Sequence, residues 1–588
     1  MEAIDYDPMS WSSLRFPFRA FHAGGASTAT PVHPSAVGMR PVWMVVLASL
    51  WMATVGNMAL WREISRLPSL ATAEALTRTQ ALTLSLVMVL LMALLTTALI
   101  SLVAWRWTLK PVITVFWVSA ALGAYFMMSY GVVIDKTMMV NTLQTDVRET
   151  RDLLNWRLLA TVGAMAVLPG YLLWKQPVRR QSVLRQLSVN LATFTGCMVA
   201  FAVVLMLFFQ SIAPVMHTHT HLRYLINPLN SFYALGQLAA KPFQKNSSVI
   251  LPLGRDAKLG AQYTGQSKPP LLLLVLGETA RSGNFGVNGY ARNTTPELAA
   301  EHLASQRNAW SCGTSTAASL PCMFSNLGRE GYSSRADNTE GVLDVLQHAG
   351  LAVLWVDNQS GCKGVCDRVH SARSVDDAHP AVPQLCPGGE CFDEIMLQGL
   401  DQRIAALPTD QRAKGVVVVL HQMGSHGPAY YQRSPAAFKR FVPECANNAL
   451  QSCTTSEVVN VYDNSIAYTD HVLGLAIGWL KAQQTHSTPA MVYVADHGES
   501  LGENNLYLHG MPYGIAPDVQ KRVPWITWLS PGFEQRSHVT TACLQKRLDM
   551  AISHDNYFHS VLGLMNVRTE VYQDALDIYA PCAAAQPS

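Results

Sequence analysis

Hydrophobic residues gather in the first third of the chain and then recur in short bursts. Five stretches carry no Asp, Glu, Lys or Arg: Val42 to Trp61, Ala81 to Trp105, Pro111 to Ile134, Leu158 to Trp174 and Ser188 to Ala213. They run for 20, 25, 24, 17 and 26 residues. A helix rising about 1.5 Å per residue needs about 20 residues to cross a hydrocarbon layer of about 30 Å, so five membrane-spanning helices are expected. The fourth gives the weakest signal, being short and containing Pro169. Residues 214–267 then mix Pro, Gly and polar residues with amphipathic pieces such as Leu222 to Leu238, which read as a bridge along the membrane surface.

From Leu271 the pattern changes to short apolar runs separated by helical stretches: Leu271 to Leu276, Leu351 to Val356, Val416 to Leu420, Met491 to Ala495 and Val523 to Leu529. Continuous apolar runs suit parallel strands covered by helices on both faces. The expected fold is therefore an α-helical membrane domain of five transmembrane helices followed by an α/β domain with a doubly wound, largely parallel sheet. The expected divisions are a polar extension over 1–40, the membrane domain over 41–213, the bridge over 214–267 and a catalytic domain over 268–588.

Composition supports the membrane reading. Only 14% of the 588 residues are charged and 49% are hydrophobic, against about 25% charged in an average soluble protein. The net charge of +3, from 43 basic and 40 acidic residues, leaves no electrostatic footprint for nucleic acid. A transporter usually carries ionisable groups inside its membrane helices, and these five runs have none. Residues 1–40 show no cleavable signal peptide, so the first span is expected to act as an uncleaved anchor. An odd number of spans puts the two chain ends on opposite sides. Counting basic residues near the spans gives nine on the amino-terminal side against seven on the other, a small bias.

Cysteine decides the orientation. Of eleven, Cys197 lies in the fifth apolar run, and the other ten all follow residue 310. Eight form close pairs, Cys312 and Cys322, Cys362 and Cys366, Cys386 and Cys391, Cys445 and Cys453, with Cys543 and Cys582 remaining. An even number at short spacing suits disulfides in an oxidising compartment, which places the soluble part outside the cytoplasm. A zinc ribbon fits poorly, because the spacings do not repeat CxxC. Sequence alone leaves the connectivity open.

Three of the apolar runs end in chemistry-bearing residues. The first ends in Gly277-Glu278-Thr279-Ala280-Arg281, the third in a stretch from His421 through His426 to Pro428, and the fourth in Asp496-His497-Gly498-Glu499-Ser500. Ligands of open α/β sheets gather beyond the carboxyl ends of the strands, so three segments deliver carboxylates and imidazoles to one edge. One such residue alone is more often a cap. Together they form a candidate metal site whose mixed donors favour zinc or manganese over magnesium or calcium. The segment from Cys312 to Cys322 offers hydroxyls where a helix can begin, a position suited to phosphate. The residues do not choose among Thr314, Ser315, Thr316 and Ser319.

These motifs, with Tyr507-Leu508-His509-Gly510, resemble the motif set of the bacterial phosphoethanolamine transferases. That family includes the lipid A-modifying and mobile colistin-resistance enzymes and belongs to the alkaline phosphatase and sulfatase superfamily. The resemblance runs from about residue 40 to 578. It implies Thr316 as nucleophile and Glu278, Asp496, His497 and Thr316 itself as ligands of one tight Zn2+, the matter of a second zinc being open. It further implies His426 and His509 at a second zinc or the substrate phosphate, Lys363 on the phosphate, and Asn141, Thr145 and Glu149 around the donor head group. The i, i+4, i+8 spacing of that trio would put it on one helical face.

The implied activity is transfer of phosphoethanolamine from phosphatidylethanolamine to a lipid A phosphate through a phosphothreonine-type covalent intermediate. Diacylglycerol would leave, surface negative charge would fall and polymyxin resistance would follow. A core sugar or other glycan as acceptor, or a related glycerol-phosphate transfer, are the alternatives; no formylglycine-type sulfatase motif is present. The implied location is the bacterial inner membrane with a periplasmic catalytic domain, working as a monomer.

Overall fold

The computed structural model describes residues 38–67, 77–145, 147–240, 249–374, 382–387 and 390–583. The expected extension over 1–40 thus lies almost wholly outside the described residues. Among the described residues, five helical stretches are long and apolar enough to cross a membrane: Pro41–Ile64, Arg78–Leu102, Leu109–Tyr130, Trp156–Lys175 and Val183–Thr218. The fourth owes its irregularity to Pro169. Proline supplies no backbone N–H, and just before it the chain forms a π turn over Gly163–Val167, with the Leu168 N–H bonded to the Gly163 carbonyl. The fifth helix has 36 residues and contains Pro214; at about 1.5 Å per residue it reaches about 54 Å, well past a hydrocarbon layer.

The bridge continues from this helix through the short helices His221–Tyr224 and Leu229–Ala240. It is pinned to the spans by two buried asparagines. The Asn227 N–H donates to Asn57 Oδ1 at 2.8 Å, and its side-chain amide donates to the Gly56 and Ala120 carbonyls at 2.8 and 2.7 Å. Low dielectric makes such satisfied pairs strong and their loss costly.

The soluble domain is built on an eight-stranded sheet. In chain order its strands are β1 (Pro270–Gly277), β2 (Leu303–Trp310), β3 (Ala352–Asp357), β4 (His370–Arg373), β5 (Val416–His421), β6 (Thr488–Ala495), β7 (Arg522–Leu529) and β8 (Ile552–Ser553). They lie side by side as β8-β2-β7-β6-β1-β5-β3-β4. Every neighbouring pair is parallel except those made by β7, which runs antiparallel to β2 and β6. The run over Val523 to Leu529 is therefore a strand, but not a parallel one. Every residue of β1, β3 and β5 is buried, the burial that their unbroken apolar runs signal. Strand β2 carries Gln306, Arg307 and Asn308, which hide it from a search for apolar runs.

Five disulfides join Cys312 to Cys322, Cys362 to Cys366, Cys386 to Cys391, Cys445 to Cys453 and Cys543 to Cys582. Cys197 is free. The two halves meet through polar contacts at the soluble side of the spans. Arg433, almost wholly buried, donates to Asp152 Oδ2 at 2.8 Å and to Glu390 Oε2 at 2.6 Å. Asn448 donates to the Asp152 carbonyl at 2.6 Å, and the Tyr130 hydroxyl donates to the Asn448 carbonyl at 3.2 Å.

Candidate metal centre and active site

Strands β1 and β6 are neighbours with Gly277 opposite Ala495. The next residues, Glu278 and Asp496, therefore leave the sheet side by side, both fully buried. Their neighbourhood is tightly cross-linked. The Thr279 N–H donates to Asp496 Oδ1 at 3.2 Å, and the Ser425 N–H donates to the Glu278 carbonyl at 3.0 Å. The loop after β5 approaches so closely that a Cβ at Gly424, whose φ is +53°, would sit 2.7 Å from the Glu278 carbonyl oxygen. Glycine is the residue that permits this contact.

Thr316 opens the eight-residue helix Thr316–Met323, with Ser315 as its extended N-cap residue. Its Oγ1 lies 3.0 and 3.2 Å from the two oxygens of Glu278 and 3.4 Å from His497 Nε2. His497 Nε2 is also 3.4 Å from Glu278 Oε1 and from Asp496 Oδ2. The other ring nitrogen, Nδ1, faces the Gly498 carbonyl at 2.9 Å. That contact places a proton on Nδ1 and leaves Nε2 as the nitrogen that faces the carboxylates.

The donor set fits a cation. Asp496 Oδ2 is buried and has no hydrogen-bond partner, an arrangement that is costly unless something positive takes the lone pair. Glu278, Asp496 and His497 present ligand atoms within 4.8 Å of one another. A tetrahedral ion with bonds of about 2.0 Å holds its donors about 3.3 Å apart, close to the separations around His497 Nε2. Burial and the Glu278 charge push the Asp496 carboxyl up to about 6. Burial also raises Glu278, but the hydrogen bond and charge of His497 outweigh it and hold this carboxyl well below its usual range.

The four hydroxyls between Cys312 and Cys322 are now distinguished. Thr314 donates to the Met511 carbonyl at 2.6 Å, Ser315 is buried without a hydrogen bond, and Ser319 donates to the Asp496 carbonyl. Among them Thr316 reaches the carboxylates. The His509 ring lies 4.3 Å from that of His497, and His426 lies 5.8 Å from His509. His509 Nδ1 faces Glu499 Oε1 at 3.3 Å. Lys363 stands further out, where its ammonium donates to Ser360 Oγ at 3.1 Å and to the Gln144 carbonyl at 3.4 Å.

Asn141 lies on the helix Lys136–Gln144, and Met138 of the same helix packs against Gly510, beside His509. The expectation of one helical face for Asn141, Thr145 and Glu149 is corrected here. The helix ends at Gln144, Thr145 is extended with φ −63° and ψ 130°, and a second helix starts at Val147. The physical reason lies in Thr145 itself, whose hydroxyl donates to the Asn141 carbonyl at 2.8 Å and competes with continuation of a short, unburied helix. The side chain of Glu149 lies outside the described residues.

Comparison with known proteins identifies the family. A family model described as Sulfatase matches residues 270–567, and one described as Phosphoethanolamine transferase EptA/EptB matches residues 90–243. The chain is 39% identical over 492 residues to phosphoethanolamine transferase EptA of Escherichia coli strain K12, covering 82% of this chain and 87% of that one. The chain belongs to the phosphoethanolamine transferases. It is also 35% identical over 543 residues to phosphatidylethanolamine transferase Mcr-1 of Escherichia coli, covering 91% of this chain and 97% of the other. Among solved structures, the integral membrane lipooligosaccharide phosphoethanolamine transferase A of Neisseria meningitidis superposes with a TM-score of 0.84 at 31% identity, covering 92% of this chain and 98% of that one.

The transferase also holds site residues that carry no sequence signal. Gln359, just past β3, donates from Nε2 to Glu278 Oε2 at 2.9 Å. His554 presents Nε2 to the Ala495 carbonyl at 3.0 Å and accepts the Cys312 N–H at Nδ1, 3.1 Å away. Burial lowers the His554 pKa to about 3, so the ring stays neutral and keeps both contacts. A lone glutamine or histidine after a strand looks like any other polar residue, and only the closed sheet reveals its partner.

Proposed function

We propose that this transferase moves phosphoethanolamine from phosphatidylethanolamine to a phosphate of lipid A, with Thr316 as nucleophile. The observation that carries this reading is the Thr316 hydroxyl, 3.0 and 3.2 Å from the Glu278 oxygens at the mouth of a buried carboxylate and imidazole cluster. In the first half-reaction Thr316 Oγ1 bonds to the donor phosphorus, the bond from phosphorus to the glyceryl oxygen breaks, and diacylglycerol leaves. In the second, an acceptor oxygen takes the phosphoethanolamine and the threonine hydroxyl is restored.

Glu278, Asp496, His497 and Thr316 are proposed to hold Zn2+, which when bound would lower the hydroxyl pKa and neutralise charge on the phosphoryl oxygens. His426 and His509 are placed to pass a proton to the leaving oxygen or take one from the acceptor. Lys363 is assigned to the phosphate, and Asn141, Thr145 and Glu149 to the donor head group. A donor with two acyl chains stays in the bilayer, each methylene being worth about 0.8 kcal/mol there. The attached five-span domain is consistent with that need.

The proposed setting is the bacterial inner membrane, with residues 268–588 in the periplasm, 41–213 as the membrane domain, 214–267 as the bridge and the chain acting as a monomer. Lowered surface charge and polymyxin resistance would follow. Mass spectrometry of lipid A from cells with and without the protein tests the reading. A gain of phosphoethanolamine that disappears in Thr316→Ala, with membrane insertion unchanged, supports it; full transfer by that variant overturns it.

A further inference from the structure

We infer that a basic cavity on the far side of the Lys136–Gln144 helix receives the phosphorylated head of the acceptor glycolipid, with Arg329, Arg335 and Lys136 as its anion-binding residues. The assignment rests on the transfer reading above and names where its second substrate sits.

The cavity holds about 700 Å3 and touches both reacting halves of the molecule. Ala317 and Ala318, directly after the nucleophile, form part of its wall. Lys136, Thr137, Val140 and Gln144 form another. At about 100° per residue these four share one helix face, whereas Met138 projects from the other side toward Gly510 and the histidines. Lys363, assigned above to the phosphate, also borders the cavity, so the cup adjoins the donor site and the nucleophile at once.

The charge on this wall is unbalanced. Among the described residues, Lys136 and Arg335 have no carboxylate within ion-pair distance, and Arg329 has only the exposed Glu330 at 3.7 Å. Arg335 instead sits over the Tyr332 ring, its Cζ 3.5 Å from the centre, and donates from Nε to Asn338 Oδ1 at 3.1 Å and from Nη1 to the Tyr332 carbonyl at 2.6 Å, with Nη2 remaining. Arg329 lies 4.4 Å from the centre of the Tyr513 ring. Stacking fixes these guanidinium planes and leaves N–H groups for a phosphate, the geometry arginine binds best.

Among the described residues, Lys363 on the same wall donates only to Ser360 Oγ and the Gln144 carbonyl, while two further charges there are already neutralised. Arg368 is bound in bidentate fashion to Asp344 at 2.7 and 2.8 Å. Glu340 is taken by Arg255, His348 and the Leu253 N–H. Beside the rim, Ile250 lines the cavity, pairs with Asn338 and keeps 42% of its surface exposed. A basic cup with an apolar lip suits a phosphosugar that carries acyl chains.

The two half-reactions separate this idea from its alternatives. With full-length enzyme in detergent, diacylglycerol release from fluorescent phosphatidylethanolamine and Thr316-bound phosphoethanolamine, detected by mass spectrometry, report the first half. Transfer to purified lipid A reports the second. Arg335→Gln and the double variant with Arg329→Gln are expected to keep the first half within about twofold of wild type. Transfer is expected to fall at least tenfold with a raised KM for lipid A, and Arg335→Lys should recover part of it. Transfer unchanged in the double variant overturns the assignment. An equal fall in both halves with an unshifted melting temperature hands the cavity to the donor and also overturns it. Absence of phosphoethanolamine on Thr316 in the wild type would instead remove the transfer reading itself, and this assignment with it.

Discussion

The backbone N–H of Cys312 is bonded to Nδ1 of His554 at 3.1 Å, across 242 residues of sequence. The same ring nitrogen lies 3.2 Å from Ser319 Oγ, which donates to the Asp496 carbonyl. One neutral imidazole therefore clips the loop that carries Thr316 to the strand end that carries Asp496, a proposed metal ligand. Replacing it with alanine leaves a buried N–H without a partner, a loss of about 1–3 kcal/mol. His554→Ala is expected to lower the melting temperature and to reduce kcat at least tenfold while bound metal, measured by elemental analysis, stays near wild type.

The same histidine makes stability depend on pH. Burial holds its folded pKa at about 3, below the ordinary histidine value of about 6.5. Between those values the unfolded chain binds a proton that the folded chain does not. Its contribution is complete above about pH 6.5 and is lost as pH falls toward about 3, at no more than about 1.4 kcal/mol per pH unit. Denaturant unfolding across this range should show a shallower acid-side slope in His554→Gln than in the wild type; identical slopes would exclude the neutral ring as a source.

Gln359 holds Glu278 from behind at 2.9 Å. Partners of this kind typically change metal affinity by about 10–100-fold. Gln359→Leu should release metal to a competing chelator at correspondingly lower chelator concentration, with transfer restored by added Zn2+. Unchanged affinity would show that Glu278 is oriented without Gln359, by its other partners such as Thr279, whose hydroxyl donates to it at 2.6 Å.

Removing the metal from the wild type should cost stability as well as turnover. Glu278 and Asp496 are both fully buried, and two carboxylates side by side without a cation repel each other. Prolonged chelation is expected to lower the melting temperature, and Asp496→Asn should show a smaller drop because one of the two charges is gone.

The disulfide from Cys312 to Cys322 encloses Thr316 in a loop of sequence separation 10. Loop-closure entropy assigns such a bridge about 3 kcal/mol. The double replacement by serine should melt earlier by several degrees and lose most transfer, since the helix start that carries the hydroxyl is no longer tied at both ends. Retained activity at low temperature would limit the bridge to a stabilising role.

Much of this architecture is legible in the chain because burial on both faces leaves a plain mark. Leu271 to Leu276 and Val416 to Leu420 are unbroken apolar runs, and both become central parallel strands. The opposite case is β2, where Arg307 and Asn308 interrupt the run although the strand pairs with both β7 and β8. Glu278, Asp496 and His497 stand out because each follows such a run. Gln359 and His554 do not, since their meaning depends on partners far away in sequence. The break at Thr145 is equally hidden, because it turns on one hydroxyl choosing a carbonyl.

The buried pair of Arg433 and Asp152 joins the soluble domain to the membrane half at 2.8 Å. Removing one partner of such a pair costs about 3–5 kcal/mol. On the proposed reading, Thr316 would therefore be held at a set height over the bilayer, and the enzyme would not leave the surface to search for substrate. Its lipid arrives by sideways diffusion, so the quantity that governs encounter is the number of lipid molecules per unit area of leaflet, independent of the volume of the surrounding compartment.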